Sequence, residues 1–188
     1  TYDDNIATAT SNISSIGQGD DTVINGLVDL KKEDISLSEV AVEPDQFVRP
    51  DEGRLGPSER QAVLVTASNV TVADTSVTVA LDANDGFEEV NAIQVFGSDS
   101  DPITDVQIAN NDITGTASND EFAGVVGVSD QGATSQTTVF NNTIDVESEG
   151  YSFGVVTRAS GGEEATPETV VVYNHIDATA ESYPGVGY

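Results

Sequence analysis

Short runs of alternating apolar and polar residues recur along the chain at a nearly constant spacing from Ala62 onward. One run returns at intervals of 36, 31 and 32 residues, and its copies occupy residues 70–77, 106–113, 137–144 and 169–176. A second run lies between those copies, at 92–95, 124–127, 154–157 and 185–188. Alternation with a period of two predicts β-strands, and self-similarity at a fixed period of this length predicts a solenoid.

Each repeat divides into three short strands. In the third repeat we predict strands at 124–128, 137–140 and 143–146, with a loop at 129–136 and a tight corner at 141–142. The corner has two residues in every copy whereas the other connections vary in length, so one corner is structurally fixed and the others tolerate insertion. This division gives four coils, at 62–91, 92–123, 124–153 and 154–184.

The sequence therefore predicts an all-β protein dominated by a parallel β-helix of four to five coils over residues 62–188. Residues 1–61 are less regular and form an N-terminal segment in this division. Runs at 22–26 and 35–42 are candidates for the strands of a distorted first coil, and 43–61, with three prolines, is predicted to be a long acidic loop.

The fixed corner carries asparagine in three consecutive copies, at Asn111, Asn142 and Asn174. Three short strands per coil and a tight asparagine corner resemble the right-handed parallel β-helix of the pectate-lyase-like superfamily. The resemblance covers 62–188 and implies that Asn111, Asn142 and Asn174 stack into a ladder along the helix. Asparagine suits such a corner because it tolerates left-handed backbone and its amide can bond to the coils above and below.

Composition narrows the partners and the setting. The chain has 33 acidic and 6 basic residues, a formal net charge of −27 and no cysteine. This charge disfavours nucleic acid and anionic lipid as partners, and the absence of cysteine excludes disulfides and thiolate metal sites. No apolar run has the length of a membrane span. The acidic composition resembles that of proteins from halophilic archaea and their viruses, in which concentrated salt screens the charge.

The sequence predicts no cofactor, and calcium is the one candidate cation. Asp82, Asn84 and Asp85 in one loop, and Asp99 and Asp101 in another, place oxygen atoms where a hard cation could bind. Neither loop has the twelve-residue spacing of an EF-hand, and ordinary acidic loop chemistry is the alternative interpretation.

Two outward carboxylates, Asp145 and Asp177, occupy equivalent third-strand positions in adjacent coils. At the spacing of parallel strands, about 4.8 Å, they could share a proton or a cation, or simply form a solvated surface ladder. Asn12, Asn69 and Asn141 begin N-glycosylation sequons, which modestly favours an extracellular protein.

The final run, Gly185, Val186, Gly187 and Tyr188, fills only the first strand of a new coil. The chain begins at Thr1 and lacks methionine, which indicates a processed mature protein or a fragment. An uncapped coil exposes core and strand edges, so we expect another subunit to cover it. We therefore expect a non-enzymatic extracellular subunit, of a cell surface or virion, that self-associates end to end or side by side.

The alternative is a β-helix that binds or degrades polysaccharide, such as a virus tail fibre or a secreted enzyme. The resemblance to the pectate-lyase-like superfamily implies how cleavage would work. Its enzymes that cleave polysaccharide use convergent carboxylates, and the lyases use arginine or lysine as the base. Here the only basic residue after Arg60 is Arg158, predicted in the loop after Gly154, so a lyase would lack its base.

Overall fold

The computed structural model describes residues 6–7, 13–16, 22–44, 59–82, 89–118, 124–159 and 167–181. Within these ranges every regular element is a β-strand, and almost all of the strands belong to three parallel sheets of six strands each. The first sheet contains, in spatial order, β1 (Ile6–Ala7), β4 (Val28–Leu30), β7 (Glu59–Val65), β10 (Glu89–Gly97), β14 (Gly124–Gly132) and β18 (Tyr151–Arg158).

The other two sheets are built in the same way. The second contains β2 (Ile13–Ile16), β5 (Ile35–Ser38), β8 (Val70–Ala73), β12 (Val106–Ala109), β16 (Thr137–Phe140) and β19 (Thr169–Val172). The third contains β3 (Val23–Ile24), β6 (Ala41–Val42), β9 (Ser76–Asp82), β13 (Asp112–Ser118), β17 (Thr143–Ser148) and β20 (His175–Ala180). A small extra pair joins β11 (Ile103–Thr104) to β15 (Thr134–Ser135).

The chain visits the three sheets in turn and then rises to the next coil, which confirms the predicted all-β parallel solenoid. The four coils predicted between residues 62 and 184 correspond to β7–β9, β10–β13, β14–β17 and β18–β20. The strands β7, β10 and β18 each begin three residues before the predicted boundary of their coil. Strands also form at the two N-terminal runs singled out in the sequence, and β4–β6 pair in register with β7–β9.

The third sheet has one buried face and one exposed face. In β9 and β13 the residues alternate between core and solvent, and Val77, Ile113 and Ile144 stack in one fully buried column. Valine and isoleucine suit a parallel sheet because branched side chains pack well on a pleated surface. The polar residues between them face outward, so the pattern in the sequence fixes the register of this sheet.

The first sheet is buried on both faces along β10 and β14. The sequence placed Gly124 beside Ala92 and Gly154, which is wrong by three residues. Gly124 pairs with Glu89, and the segment from Gly127 lies beside Ala92 and Gly154. When both faces are buried, alternation no longer says which side chains point inward, so two glycines three residues apart are equally good matches.

The predicted loop at 129–136 is also corrected. β14 continues to Gly132, and β15 follows after one residue. Polar residues such as Ser129 and Asp130 are typical of loops, yet here they pair with Gln94 and Val95 of β10. Pairing with the preceding coil outweighs the local preference.

Candidate functional site

The first sheet folds inward along its middle, at the level of Gly127 and Gly154. A Cβ atom on Gly127 would lie 2.5 Å from Cγ2 of Ile144 and 2.6 Å from the carbonyl oxygen of Gly154. A Cβ atom on Gly154 would overlap Cγ2 of Ile176. The inner side of the bend therefore packs against Ile144 and Ile176 of the third sheet. Only glycine fits at these two positions of the first sheet.

The outer side of the same bend is a concave surface, which we call the trough. It is lined by the outward side chains of β10, β14 and β18, with Glu89 at one end and Arg158 at the other. Glu89 is in register with Gly124 and Tyr151, and Arg158 lies seven residues beyond Tyr151. In a straight strand that separation would be about 23 Å. Yet Arg158 and Glu89 are bonded at 2.6 Å, so the two ends of the sheet approach each other across the trough.

Glu89 is the centre of the trough. The residue is 4 % exposed, and its carboxylate accepts two hydrogen bonds of 2.6 Å from the Arg158 guanidinium, one at each oxygen. The Tyr151 hydroxyl donates to Oε2 at 2.8 Å, and Nδ2 of Asn91 donates to Oε1 at 3.2 Å. A bidentate, charge-assisted pair of this kind is among the stronger polar contacts in a protein. Because both of its carboxylate oxygens accept hydrogen bonds, Glu89 stabilises the trough.

Sequence reasoning missed this cluster. Arg158 is the last residue of β18 and not part of a loop, and Glu89 begins β10. Their partnership joins residues 69 positions apart and depends on the bend. The one indication in the sequence is that the chain has only 6 basic residues. An arginine in such a chain, like Arg158, is a candidate partner for a carboxylate in the fold.

The asparagine corner forms a continuous hydrogen-bond ladder. Oδ1 of Asn142 accepts from the backbone N–H of Asn111 at 2.9 Å and from its Nδ2 at 3.0 Å. Oδ1 of Asn174 accepts from the same two groups of Asn142, each at 2.9 Å. Below the asparagines, the backbone N–H of Thr75 donates to Oδ1 of Asn111 at 3.0 Å.

The left-handed residue of each corner is the one before the ladder residue. The backbone φ is 56° at Asn110, 54° at Asn141 and 56° at Tyr173. The ladder asparagines that follow them do not have positive φ. This corrects the reason given for asparagine in the ladder: the amide supplies hydrogen bonds between coils, and its neighbour supplies the turn.

The outward carboxylates Asp145 and Asp177 are paired neighbours in β17 and β20, and both are exposed. His175 begins β20 on the same outer face and is also exposed. Thr114 occupies the same column in β13 and donates to the hydroxyl of Thr78 at 3.1 Å. These side chains form a solvated row along the third sheet.

Of the proposed calcium ligands, Asp82, Asp99 and Asp101 are exposed, and Asn84 and Asp85 lie outside the described residues. The backbones of Ser98 and Asp101 bond to each other in a tight turn. Across the described ranges, no three His, Cys, Asp or Glu side chains gather closely enough to hold a metal ion.

The remaining predicted positions divide in the same way. Asn69 and Asn141 are exposed at corners, and Nδ2 of Asn141 donates to Oδ1 of Asn110 at 2.9 Å. Asn12 and the four residues from Gly185 to Tyr188 lie outside the described residues. In the part of the chain that the structure describes, there is no helix with the length and apolarity needed to cross a membrane.

Comparison with protein-family models, with curated protein sequences and with solved structures gives no significant match. The function is therefore inferred from the fold and from the arrangement of side chains.

Proposed function

We propose that the protein is a non-enzymatic structural or adhesive subunit that self-associates end to end, outside the cell, at a cell surface or in a virion. The observation that carries this proposal is the incomplete burial of the core in the last described coil. In the coil before it, Val139, Ile144 and Val146 are 0 %, 0 % and 1 % exposed. Their register partners in β19 and β20 are only half-buried; they are Val171, Ile176 and Ala178.

An incompletely covered coil of this kind favours stacking by another coil. β18, β19 and β20 are the last strands of their sheets among the described residues, so each presents backbone groups along one edge. Such edges pair readily with further strands. A second copy that adds its first coil to this end makes a heterologous contact, and repetition of that contact produces a filament.

The charge of −27 fits the setting that we propose. At low salt the copies repel one another, whereas concentrated salt reduces the screening length to about 3 Å at 1 M and leaves apolar burial to drive association. An origin in a halophilic archaeon or its virus, and membership of the pectate-lyase-like superfamily, belong to the same proposal.

The test is electron microscopy and sedimentation of the purified protein in concentrated salt. We expect filaments or higher oligomers, and dissociation when Val171 is replaced by lysine at the end of the core. The matched control is Val170→Lys on the same strand, whose side chain is 53 % exposed on the outer face and should not affect assembly. A protein that stays monomeric at micromolar concentration in high salt contradicts the proposal.

The second candidate function is binding or cleavage of polysaccharide. It is favoured by Tyr151 and Phe153, whose half-buried rings lie 5.6 Å apart on the outer side of β18, near Arg158. Adjacent rings and a polar cluster suit a sugar chain, which stacks its apolar faces on aromatic side chains. Calorimetric titration with acidic and neutral oligosaccharides should detect binding that Phe153→Ala abolishes and Phe140→Ala, on the second sheet, retains. Cleavage that survives replacement of Asp145 and Asp177 by asparagine would remove those carboxylates from consideration.

A further inference from the structure

A carboxylate lies inside the solenoid at Asp130. The residue is 0 % exposed and is in register with Val95, a member of the apolar core. Its Oδ1 accepts a hydrogen bond from the Thr134 hydroxyl and its Oδ2 accepts one from the Thr169 hydroxyl, each at 2.6 Å. Asp130 therefore points into the core and holds two hydroxyl groups around it.

The surrounding layer changes from apolar to polar between two consecutive coils. In the coil of β10–β13 the layer is formed by Val95, Ile103 and Val106, all buried. Register with the next coil places Asp130, Thr134 and Thr137 at the same three positions. A single polar residue in a core can be an isolated exception, but three polar residues in one layer indicate a functional site.

Thr137 adds a buried hydroxyl oxygen to this layer. Its side chain is 0 % exposed, and its Oγ1 has no hydrogen-bond partner among the described residues. Thr137 pairs directly with Thr169, so the two inward side chains are about one strand spacing, roughly 4.8 Å, apart. Because Thr169 reaches Asp130, the Thr137 hydroxyl faces the same layer. Leaving a buried hydroxyl unbonded is costly, and a ligand in this layer would remove that cost.

We propose that Asp130, Thr134, Thr137 and Thr169 bind a sodium ion inside the solenoid. A buried carboxylate needs a compensating charge, and hydroxyl donors supply hydrogen bonds without charge. Carboxylate and hydroxyl oxygens are ligands suited to a hard cation, and one carboxylate balances one positive charge. The layer lies beneath the last described coil, in which Thr157, the register partner of Asp130, is exposed. A metal site needs an entry path, and the proposal places it at this end.

The first test compares thermal unfolding in sodium chloride and in choline chloride at equal ionic strength, so that screening of the surface charge is the same. Above the dissociation constant, each tenfold rise in sodium should raise Tm by about 3–6 °C, and choline should not. Asp130→Asn should abolish the sodium-specific increment. Thr137→Val should weaken it while preserving packing, because Val106 occupies the same column. Asp145→Asn, on the exposed face of the same coil, should leave it intact.

Equal stabilisation by the two chlorides, or an undiminished sodium increment in Asp130→Asn, would overturn the proposal. A crystal structure of the protein grown in sodium chloride supplies a readout that does not depend on the stability of a variant. Density for an ion among the four side chains is expected, and its absence contradicts the site. The proposal is independent of self-association, and the unfolding measurements can be repeated on the Val171→Lys variant to separate the two.

Discussion

The first and third sheets share the same coils and the same spacing, yet they follow different rules. The third sheet alternates strictly, with a core of Val77, Ile113 and Ile144 and a solvated row containing Asp145. The first sheet is folded inward, buried on both faces, and held by polar contacts such as Glu89 with Arg158. One solenoid thus obtains its register from apolar patterning in one sheet and from specific polar contacts in another.

The strongest way to break the third sheet is to remove its central side chain. Ile144→Ala should lower the free energy of unfolding by about 2–5 kcal/mol, because a fully buried side chain leaves a cavity. The adjacent Asp145→Ala points to solvent and should change it by less than about 0.5 kcal/mol. Denaturant titration in concentrated salt measures both. Similar losses in the two variants would contradict the assigned faces.

The ladder that leads into the third sheet should be nearly as sensitive. Asn142→Ala removes the acceptor for the backbone N–H of Asn111 and the donor to the carbonyl of Ile108, both buried. We expect a loss of about 2–3 kcal/mol, because buried polar groups are left without partners. Asn141→Ala, at the left-handed residue beside it, should cost only about 1–2 kcal/mol. Equal losses would argue that the turn, and not the ladder, stabilises this corner.

The inward bend of the first sheet can be tested with two glycines. Gly127→Ala forces a Cβ atom against the carbonyl oxygen of Gly154, and overpacking of this kind costs about 1–3 kcal/mol. Gly124→Ala meets first the ring of Tyr151, a side chain that can shift at the expense of its hydrogen bond to Glu89, so the loss should be smaller than against fixed backbone. Thermal unfolding compares the two. The reverse order would support the register that the sequence alone predicted.

The Glu89–Arg158 pair should give the smallest effect of the four. Arg158 is 26 % exposed and Glu89 5 % by side chain, so we expect a coupling energy of about 1–2 kcal/mol from a double-mutant cycle with Glu89→Gln and Arg158→Gln. The more exposed pair of Lys31 and Asp29, at 3.4 Å and with side chains 46 % and 21 % exposed, provides the control and should contribute about 0–1 kcal/mol. The trough pair should retain its coupling in concentrated salt because burial limits screening. Loss of both couplings in salt would mean that the trough is open to solvent.

The candidate sites differ in how far the sequence could reveal them. Asn111, Asn142 and Asn174 recur at the solenoid period in a corner of constant length, so a local pattern marked them. Glu89 has an equivalent in the preceding coil, Glu59, but Arg158 has none in β14 or β10. Their contact exists only because the sheet bends. Asp130 looked like a loop residue, since nothing in its neighbourhood distinguishes a buried polar layer from a surface turn.

The sequence by itself determined the solenoid, its period, its fixed corner and the faces of the third sheet. Each of these follows from spacing along the chain, because a coil of constant length brings equivalent residues together. Only the tertiary structure decided the register of the first sheet, the Glu89–Arg158 contact and the inward position of Asp130. In a wall buried on both sides, alternation carries no information about direction, so contacts between coils decide what the local pattern leaves open.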